Sequence, residues 1–486
     1  MAQMFAYLVF LAVAALVLAA GAAQALFPAL LARLSLTRLL QRVSGFVRRR
    51  PANPVPRWLV RWTRIEGVLL LALGAVWLVN LHPQVRLLPR PPYDPALHRW
   101  QAECPDGTGL ERREIGILTD VVRSWAARER AVDCVGMCIG VVHGYRGYFL
   151  GVGRTHAGDA AAPDADTVFE IGSITKTFTG AALAALLEEG AAGLDDPVAA
   201  LLPGWVIPEK DGRRITLRDL ATHRSGLPRM PDMPMPGAVA DLLLMRRIED
   251  PYRNGTAEWV RGYLAEYALP RAPGDADEYS NLAMGLLGHA LAQQAGLPYE
   301  ELVRRRVLAP LGMADTAVTL DPGQAGRLAQ GCIGPLAAGP FSLLSPMPPW
   351  TFADGFQGCG ALKSTARDLL KYLRANLAAP AGPLGPVLER VREPLADVSG
   401  LDGCTIGLGM LSMPIRGLDD VMCWHNGGTG GYSSFLGFSR KHQAGVVMLA
   451  TGACDEALGH DLLRALANDG RETAPPREAK ARRRAK

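Results

Sequence analysis

The sequence predicts an α+β domain: one antiparallel sheet flanked by helices, with a helical lobe inserted, preceded by two transmembrane helices. Three features of the 486 residues carry this reading. β-rich runs lie at the two ends of the main body, apolar residues at helical spacing fill its middle, and an uncharged apolar stretch opens the chain.

Residues 1–32 hold no charge, and Phe5 to Leu26 is apolar over more than the ~20 residues needed to cross a bilayer. A cleaved signal peptide is the competing reading, with small residues at Ala20–Ala25, but the basic leader of such peptides is missing. Gly67–Leu81 is a second run of fifteen uncharged residues, with Trp62 and Trp77 near its ends as in an interfacial belt; a buried core helix is the alternative. Between the runs, residues 33–64 carry nine arginines and no acid. Such loops stay in the cytoplasm, so both chain ends and the whole body beyond residue 83 are expected on the extracytoplasmic, periplasmic side of the cell (inner) membrane. The resulting division is a span within 1–32, a cytoplasmic loop 33–64, a span 65–85, a linker 86–113 stiffened by the prolines of Leu87–Pro95, a domain 114–470 and a basic disordered tail 471–486.

The net charge of +5 is local in origin. The arginine loop contributes +9 and the tail +5, which leaves the body at −9 and argues against a nucleic-acid partner. With 49% hydrophobic and 20% charged residues, the chain is neither disordered nor fibrous. Eight cysteines leave disulfides and buried thiols both open. Cys134 and Cys138 have no matching second pair, and no His-Glu-x-x-His run occurs among nine histidines, so neither a metal nor another cofactor is expected.

Within the body, Glu114–Arg130 has helical apolar spacing, and Met137–Val142 with Tyr148–Val152 forms a hairpin around Gly144–Gly147. Ser173–Glu189 is helical and stops at Gly190. Further helices are expected near Leu217–Thr222, Ala257–Tyr267, Asn281–Ala295 and Thr365–Ala378. Val421–Trp424, Tyr432–Phe438 and Val446–Thr451 then make an antiparallel meander.

Three groups of residues carry chemistry. Ser173 and Lys176 lie three apart at a helix start, so one helical face brings the amine to the hydroxyl, where a lysine in its free-base form can take the serine proton. The same helix start aims backbone N–H groups and a positive dipole end at any oxyanion. Tyr279 and Asn281 flank Ser280 before another helix; a tyrosine can shuttle protons and an asparagine can hold a substrate amide. Trp424-His425-Asn426-Gly427-Gly428 ends one expected strand, and its glycines let the strand edge approach a ligand. Each group alone also has a structural reading, as an exposed Ser/Lys pair, a helix cap and a glycine-rich hairpin turn.

In this order, Ser-x-x-Lys, Tyr-x-Asn and then His-x-Gly, the chain resembles the penicillin-recognising serine hydrolases: the class C β-lactamases, low-molecular-weight D-Ala-D-Ala carboxypeptidases and related esterases. Ile215–Pro228, Tyr279–Leu297, Leu308–Thr316 and Gly358–Asp368 extend the resemblance, which covers roughly Glu114 to Gly470. It implies a β-lactamase/transpeptidase-like fold with the site between sheet and helical lobe. It also implies Ser173 as acylated nucleophile, Lys176 and Tyr279 as the proton-handling pair, Asn281, His425 and Gly427 as substrate ligands, and the N–H groups of Ser173 and Gly428 as the oxyanion hole. His425 departs from the lysine of the efficient class C β-lactamases. A histidine titrating near ~6.5 would make carboxylate binding, and hence activity, depend on pH between about 5.5 and 7.5.

The expected protein is a membrane-anchored, extracytoplasmic serine hydrolase that needs no cofactor and acts through an acyl-enzyme on D-alanyl peptides of the cell wall. β-Lactams and esters are alternative substrates for the same mechanism. A receptor for peptidoglycan or β-lactams is the alternative of another kind.

Overall fold

A short strand that is apolar on both faces belongs inside a sheet, and Ala444–Ala453 is buried at all but its last residue. The computed structural model describes residues 86–89, 100–103, 112–127, 133–144, 146–156, 161–231, 250–338, 341–382 and 384–468. Two compact units divide the chain: residues 1–88, 235–249 and 343–345 form one, and the remainder forms the other, which holds every element below. Both expected spans, the arginine loop and the basic tail lie outside the described residues. Among the described residues no helix is long and apolar enough to cross a membrane.

In chain order the strands of the main sheet and of the pair beside the site are β1 (Gln101–Ala102), β2 (Asp133–His143), β3 (Arg146–Gly153), β4 (Val168–Glu170), β5 (Lys363–Thr365), β6 (Ala396–Asp397), β7 (Thr405–Ile406), β8 (Leu411–Pro414), β9 (Val421–Gly428), β10 (Tyr432–Ser439) and β11 (Ala444–Ala453). Nine of them make one sheet in the order β6-β7-β8-β9-β10-β11-β2-β3-β1. The junction of the two chain ends is the antiparallel pair β11 and β2, with Val446 opposite Val141 and Met448 opposite Ile139. Residues from the two ends of the domain thus share one ladder, as the positions of the β-rich runs imply.

Three departures from the sequence reading matter. β9 does not stop at Trp424 but continues through His425 to Gly428, with Gly427 opposite Ser434 and Gly428 opposite Ser433. A glycine lowers strand propensity, yet it leaves the backbone free to pair and the neighbour β10 supplies the ladder. Gln101–Ala102, within the expected linker, pairs with β3 beside the buried Trp100. β4 and β5 form a separate two-stranded pair with Glu170 opposite Lys363, which runs of three residues cannot announce.

Helices cover both faces. α1 (Arg112–Ala127) and a helix absent from the sequence reading, which lies at the chain's far end (Ala457–Ala467), bury Leu118, Val122, Leu462 and Leu466 against one face. Each fully buried leucine contributes about 1.5–3 kcal/mol relative to exposure. On the other face lie α2 (Thr175–Glu188), α3 (Asn281–Ala295) and α4 (Ala366–Ala378); the terminal helix is α5. Six cysteines, at 138, 332, 359, 404, 423 and 454, are free thiols.

α2 is buried continuously from Thr175 to Leu186, as expected of a helix with no polar face. Its threonines keep their hydroxyls bonded: Thr177 donates to Ile174 O at 2.9 Å and Thr179 to Gly358 O at 2.8 Å. The helix is seated against the chain between β7 and β8 by glycine. A Cβ on Gly180 would lie 1.8 Å from Leu408 O, and one on Gly409 would lie 2.8 Å from Lys176 O. We therefore expect Gly180→Ala to lower the unfolding free energy by about 1–3 kcal/mol, the usual cost of overpacking. A denaturant titration reads this as a lower midpoint at constant slope; an unchanged midpoint would show that the seat is loose.

Candidate active site

The turn Gly172–Ile174 is a single 3-10 turn that runs into α2 at Thr175, so Ser173 sits just ahead of the α-helix. Gly172 has φ +48°, the left-handed region that glycine enters without strain. Space demands the same residue, because a Cβ there would lie 2.7 Å from Gly428 N. One residue along each chain, a Cβ on Gly427 would lie 2.1 Å from Ile171 O, and that carbonyl accepts the Ser434 hydroxyl at 2.8 Å. The nucleophile turn and the end of β9 are therefore in backbone contact, and this contact brings the Gly428 amide beside the residue preceding Ser173.

Lys176 is fully buried. Its Nζ donates to Ser173 Oγ at 2.8 Å and to Cys359 O at 2.7 Å, and among the described residues no carboxylate pairs with it. The spacing of three delivers the amine to the hydroxyl as the sequence anticipates.

Tyr279 meets the lysine through its ring: Nζ lies 4.8 Å from the ring centroid. Ser280, not Asn281, caps α3; its Oγ accepts from Ala283 N at 2.9 Å and donates to Pro228 O at 2.7 Å. Asn281 is freed from capping. Its Nδ2 donates to the Tyr252 hydroxyl at 2.7 Å, while its Oδ1 is buried without a partner, an acceptor held ready beside the site. Burial pushes the Tyr252 phenol far above its usual range, so it stays protonated.

His425 is 2% exposed, and alternation along β9 turns Trp424 to the opposite face, against Phe435 and His460. Its ring lies 6.4 Å from that of Tyr279, so it belongs to the same cluster. Nδ1–H donates to the Asn426 carbonyl, which leaves Nε2 as a lone-pair acceptor. Burial first, and the Lys176 charge second, push its pKa down to about 3. This corrects the sequence expectation: the imidazole is neutral throughout pH 5.5–7.5 and offers no cation to a carboxylate.

Sequence reasoning missed four supporting residues. His223, at φ +60°, accepts the Ser280 N–H on Nδ1 at 3.2 Å, and its carbonyl accepts Glu278 N at 2.8 Å, so it grips both sides of Tyr279. Its ring also lies 4.5 Å from that of Tyr279, tilted by 40°. Burial, then Lys176, holds its pKa well below the ordinary value. Glu170, three residues before Ser173, accepts Trp350 N–H at 2.6 Å, and burial raises its pKa to about 7. Tyr252 stacks on Phe352 at 4.4 Å, and Arg229 places its guanidinium carbon 5.1 Å from the Tyr279 ring. His223 lies within the Ile215–Pro228 stretch that extends the resemblance and Arg229 directly follows it, the one signal that could have found them. Among the described residues no group of three His, Cys, Asp or Glu side chains could hold a metal ion.

The chemistry this arrangement can perform is nucleophilic: a hydroxyl in hydrogen-bond contact with a buried amine, at a helix start, facing a strand edge. Comparison with known proteins agrees. The family described as Beta-lactamase matches residues 123–469. The D-alanyl-D-alanine-carboxypeptidase/endopeptidase AmpH of Escherichia coli (strain K12) is 30% identical over 334 residues, covering 65% of this chain and 79% of the relative. A β-lactamase of Pseudomonas fluorescens is 26% identical over 349 residues, covering 65% and 88%. The crystal structure of a β-lactamase/D-alanine carboxypeptidase from Yersinia pestis, complexed with citrate, superposes with a TM-score of 0.60 at 25% identity, covering 72% of this chain and 98% of that one. The chain belongs to the beta-lactamase family, and it is a serine hydrolase of the β-lactamase/transpeptidase-like α+β fold.

Proposed function

We propose that this hydrolase works through an acyl-enzyme on Ser173 and that its substrates are D-alanyl peptides of the cell wall. The observation that carries the proposal is the 2.8 Å hydrogen bond between the fully buried Lys176 Nζ and the partly buried Ser173 Oγ. The choice of substrate class is supported by the similarity to the D-alanyl-D-alanine-carboxypeptidase/endopeptidase AmpH and by the neutral His425. The efficient class C β-lactamases carry a lysine at that position, so β-lactam turnover is the weaker alternative.

In this reading Ser173 Oγ bonds to the carbonyl carbon as its proton passes to Lys176. The oxyanion that forms takes N–H bonds from Ser173 and Gly428. The C–N bond then breaks, and the leaving amine takes a proton delivered through Tyr279. Water repeats the sequence on the ester, releasing the acid and restoring the serine. Asn281 Oδ1 accepts a substrate N–H. His425 Nε2 also accepts rather than pairing with a charge, and Gly427 keeps the strand edge narrow enough for a substrate to lie along it. Anchoring by spans within 1–32 and 65–85, with the catalytic domain outside the cytosol, belongs to the same proposal and rests on the apolar runs and the nine arginines between them. A pure receptor has no use for a lysine bonded to the serine.

Three outcomes are expected. Ser173→Ala abolishes covalent labelling by a serine-directed acylating probe and lowers kcat by at least about 10³-fold; equal labelling of both proteins would move the nucleophile elsewhere. His425 affects stability with a definite sign. Its folded pKa of about 3 lies below the unfolded value of about 6.5, so the unfolded chain binds the proton first and stability falls as pH drops from about 6.5 toward 3. Thermal melts across that range should show a steeper loss for wild type than for His425→Gln, and parallel curves would mean the imidazole is not held neutral. A reporter fused after Lys486 should be active only outside the cytosol; cytosolic activity would overturn the two spans.

A further inference from the structure

We propose that Arg229 is a specificity-determining residue that holds a carboxylate of the substrate at the Ser173 site. The inference rests on the acyl-enzyme reading above. Arg229 is tied to the site through its backbone: its carbonyl accepts the Asn281 N–H at 2.9 Å, and the preceding Pro228 carbonyl accepts the Ser280 hydroxyl at 2.7 Å. Its guanidinium carbon stands 5.1 Å from the Tyr279 ring centroid, the same ring that Lys176 Nζ approaches to 4.8 Å. The side chain is exposed, and among the described residues no carboxylate pairs with it. Arginines elsewhere on this part of the surface do hold acids: Arg218 is paired with Asp195, Arg271 with Glu278 and Arg213 with Asp275. An unpaired guanidinium beside a proton-handling tyrosine is a fork shaped for bidentate contact with a carboxylate.

Other groups near Ser173 do not offer that contact. Lys176 is buried and occupied by Ser173 and Cys359. Lys363 is buried and donates to the carbonyls of Val318 and Trp350. His425 commits its one N–H to Asn426 O and presents only a lone pair to a ligand. The cation missing from β9 is therefore supplied from beside Tyr279. The carboxylate can belong to the acyl part of the substrate or to its leaving group, since the guanidinium chemistry is the same.

The test uses the full chain and two matched substrate pairs. One is a nitrophenyl ester with a free carboxylate in its acyl part against its carboxamide; the other is a D-Ala-D-Ala peptide with a free against an amidated C-terminus. Arg229→Gln should lower the ratio of kcat/KM for acid over amide by about 10- to 100-fold in one pair, chiefly through KM, as loss of a charge-assisted hydrogen bond implies. Arg229→Lys should recover part of that ratio and Arg229→Glu should invert it. The pair that responds identifies which end carries the anion. Ratios unchanged by Arg229→Gln in both pairs, or losses equal across all four substrates, overturn the proposal. Labelling of Ser173 in the wild type judges the underlying reading separately: labelled Ser173 with unchanged ratios refutes Arg229 alone, and unlabelled Ser173 refutes both.

Discussion

The site depends on one contact made almost without side chains, the backbone of Ile171–Gly172 lying against Gly427–Gly428. At Gly172 and Gly427 a Cβ would come within 2.7 and 2.1 Å of the opposing main chain. Sheets and helices ordinarily pack about 10 Å from their neighbours across a layer of side chains. By dispensing with that layer here, the chain brings a strand amide and a helix-start amide to the same small region. Such pre-positioned N–H donors are the kind of group that stabilises developing negative charge without reorganising. The Ser434 hydroxyl on Ile171 O, one strand further in, ties the contact to the centre of the sheet.

A second constraint follows from burial. Lys176 is enclosed, with the Ser173 hydroxyl and the Cys359 carbonyl as hydrogen-bond partners and the Tyr279 ring beside it, and the groups around it respond to its presence. His223 and His425 are both held neutral, first by burial and then by the lysine's charge. The site thus gathers acceptors around one amine: Asn281 Oδ1, His425 Nε2 and the Tyr279 ring face. That distribution suits proton transfer at Ser173. It also leaves anion recognition to residues further out.

How far this was legible in the sequence depended on whether the signal was local. α3 can be read residue for residue, because a serine cap precedes it and Gly296, at φ +62°, ends it. The Ser173–Lys176 spacing is equally local and predicts the contact that is found. The end of β9 was not legible: Gly427 and Gly428 look like a turn until β10 supplies its ladder. Glu170 and Lys363 face each other across 193 positions of sequence only because β4 and β5 pair, and His223 reaches Ser280 across 57. α5 is a different case, since the helical spacing of Leu458, Leu462, Leu463 and Leu466 is itself a local signal. The charge state of His425 could not be read from residue type, because burial sets it.

In the proposed mechanism, the contact between Gly172 and Gly428 builds the oxyanion hole for an acyl group on Ser173. A crystal structure of the full-length protein trapped as the acyl-enzyme with a slowly hydrolysed serine-directed probe tests it most directly. The expected result is a covalent bond to Ser173 Oγ with the acyl carbonyl oxygen about 2.7–3.1 Å from the N–H nitrogens of both Ser173 and Gly428. A carbonyl oxygen turned toward solvent, or held by donors other than these two amides, would contradict it.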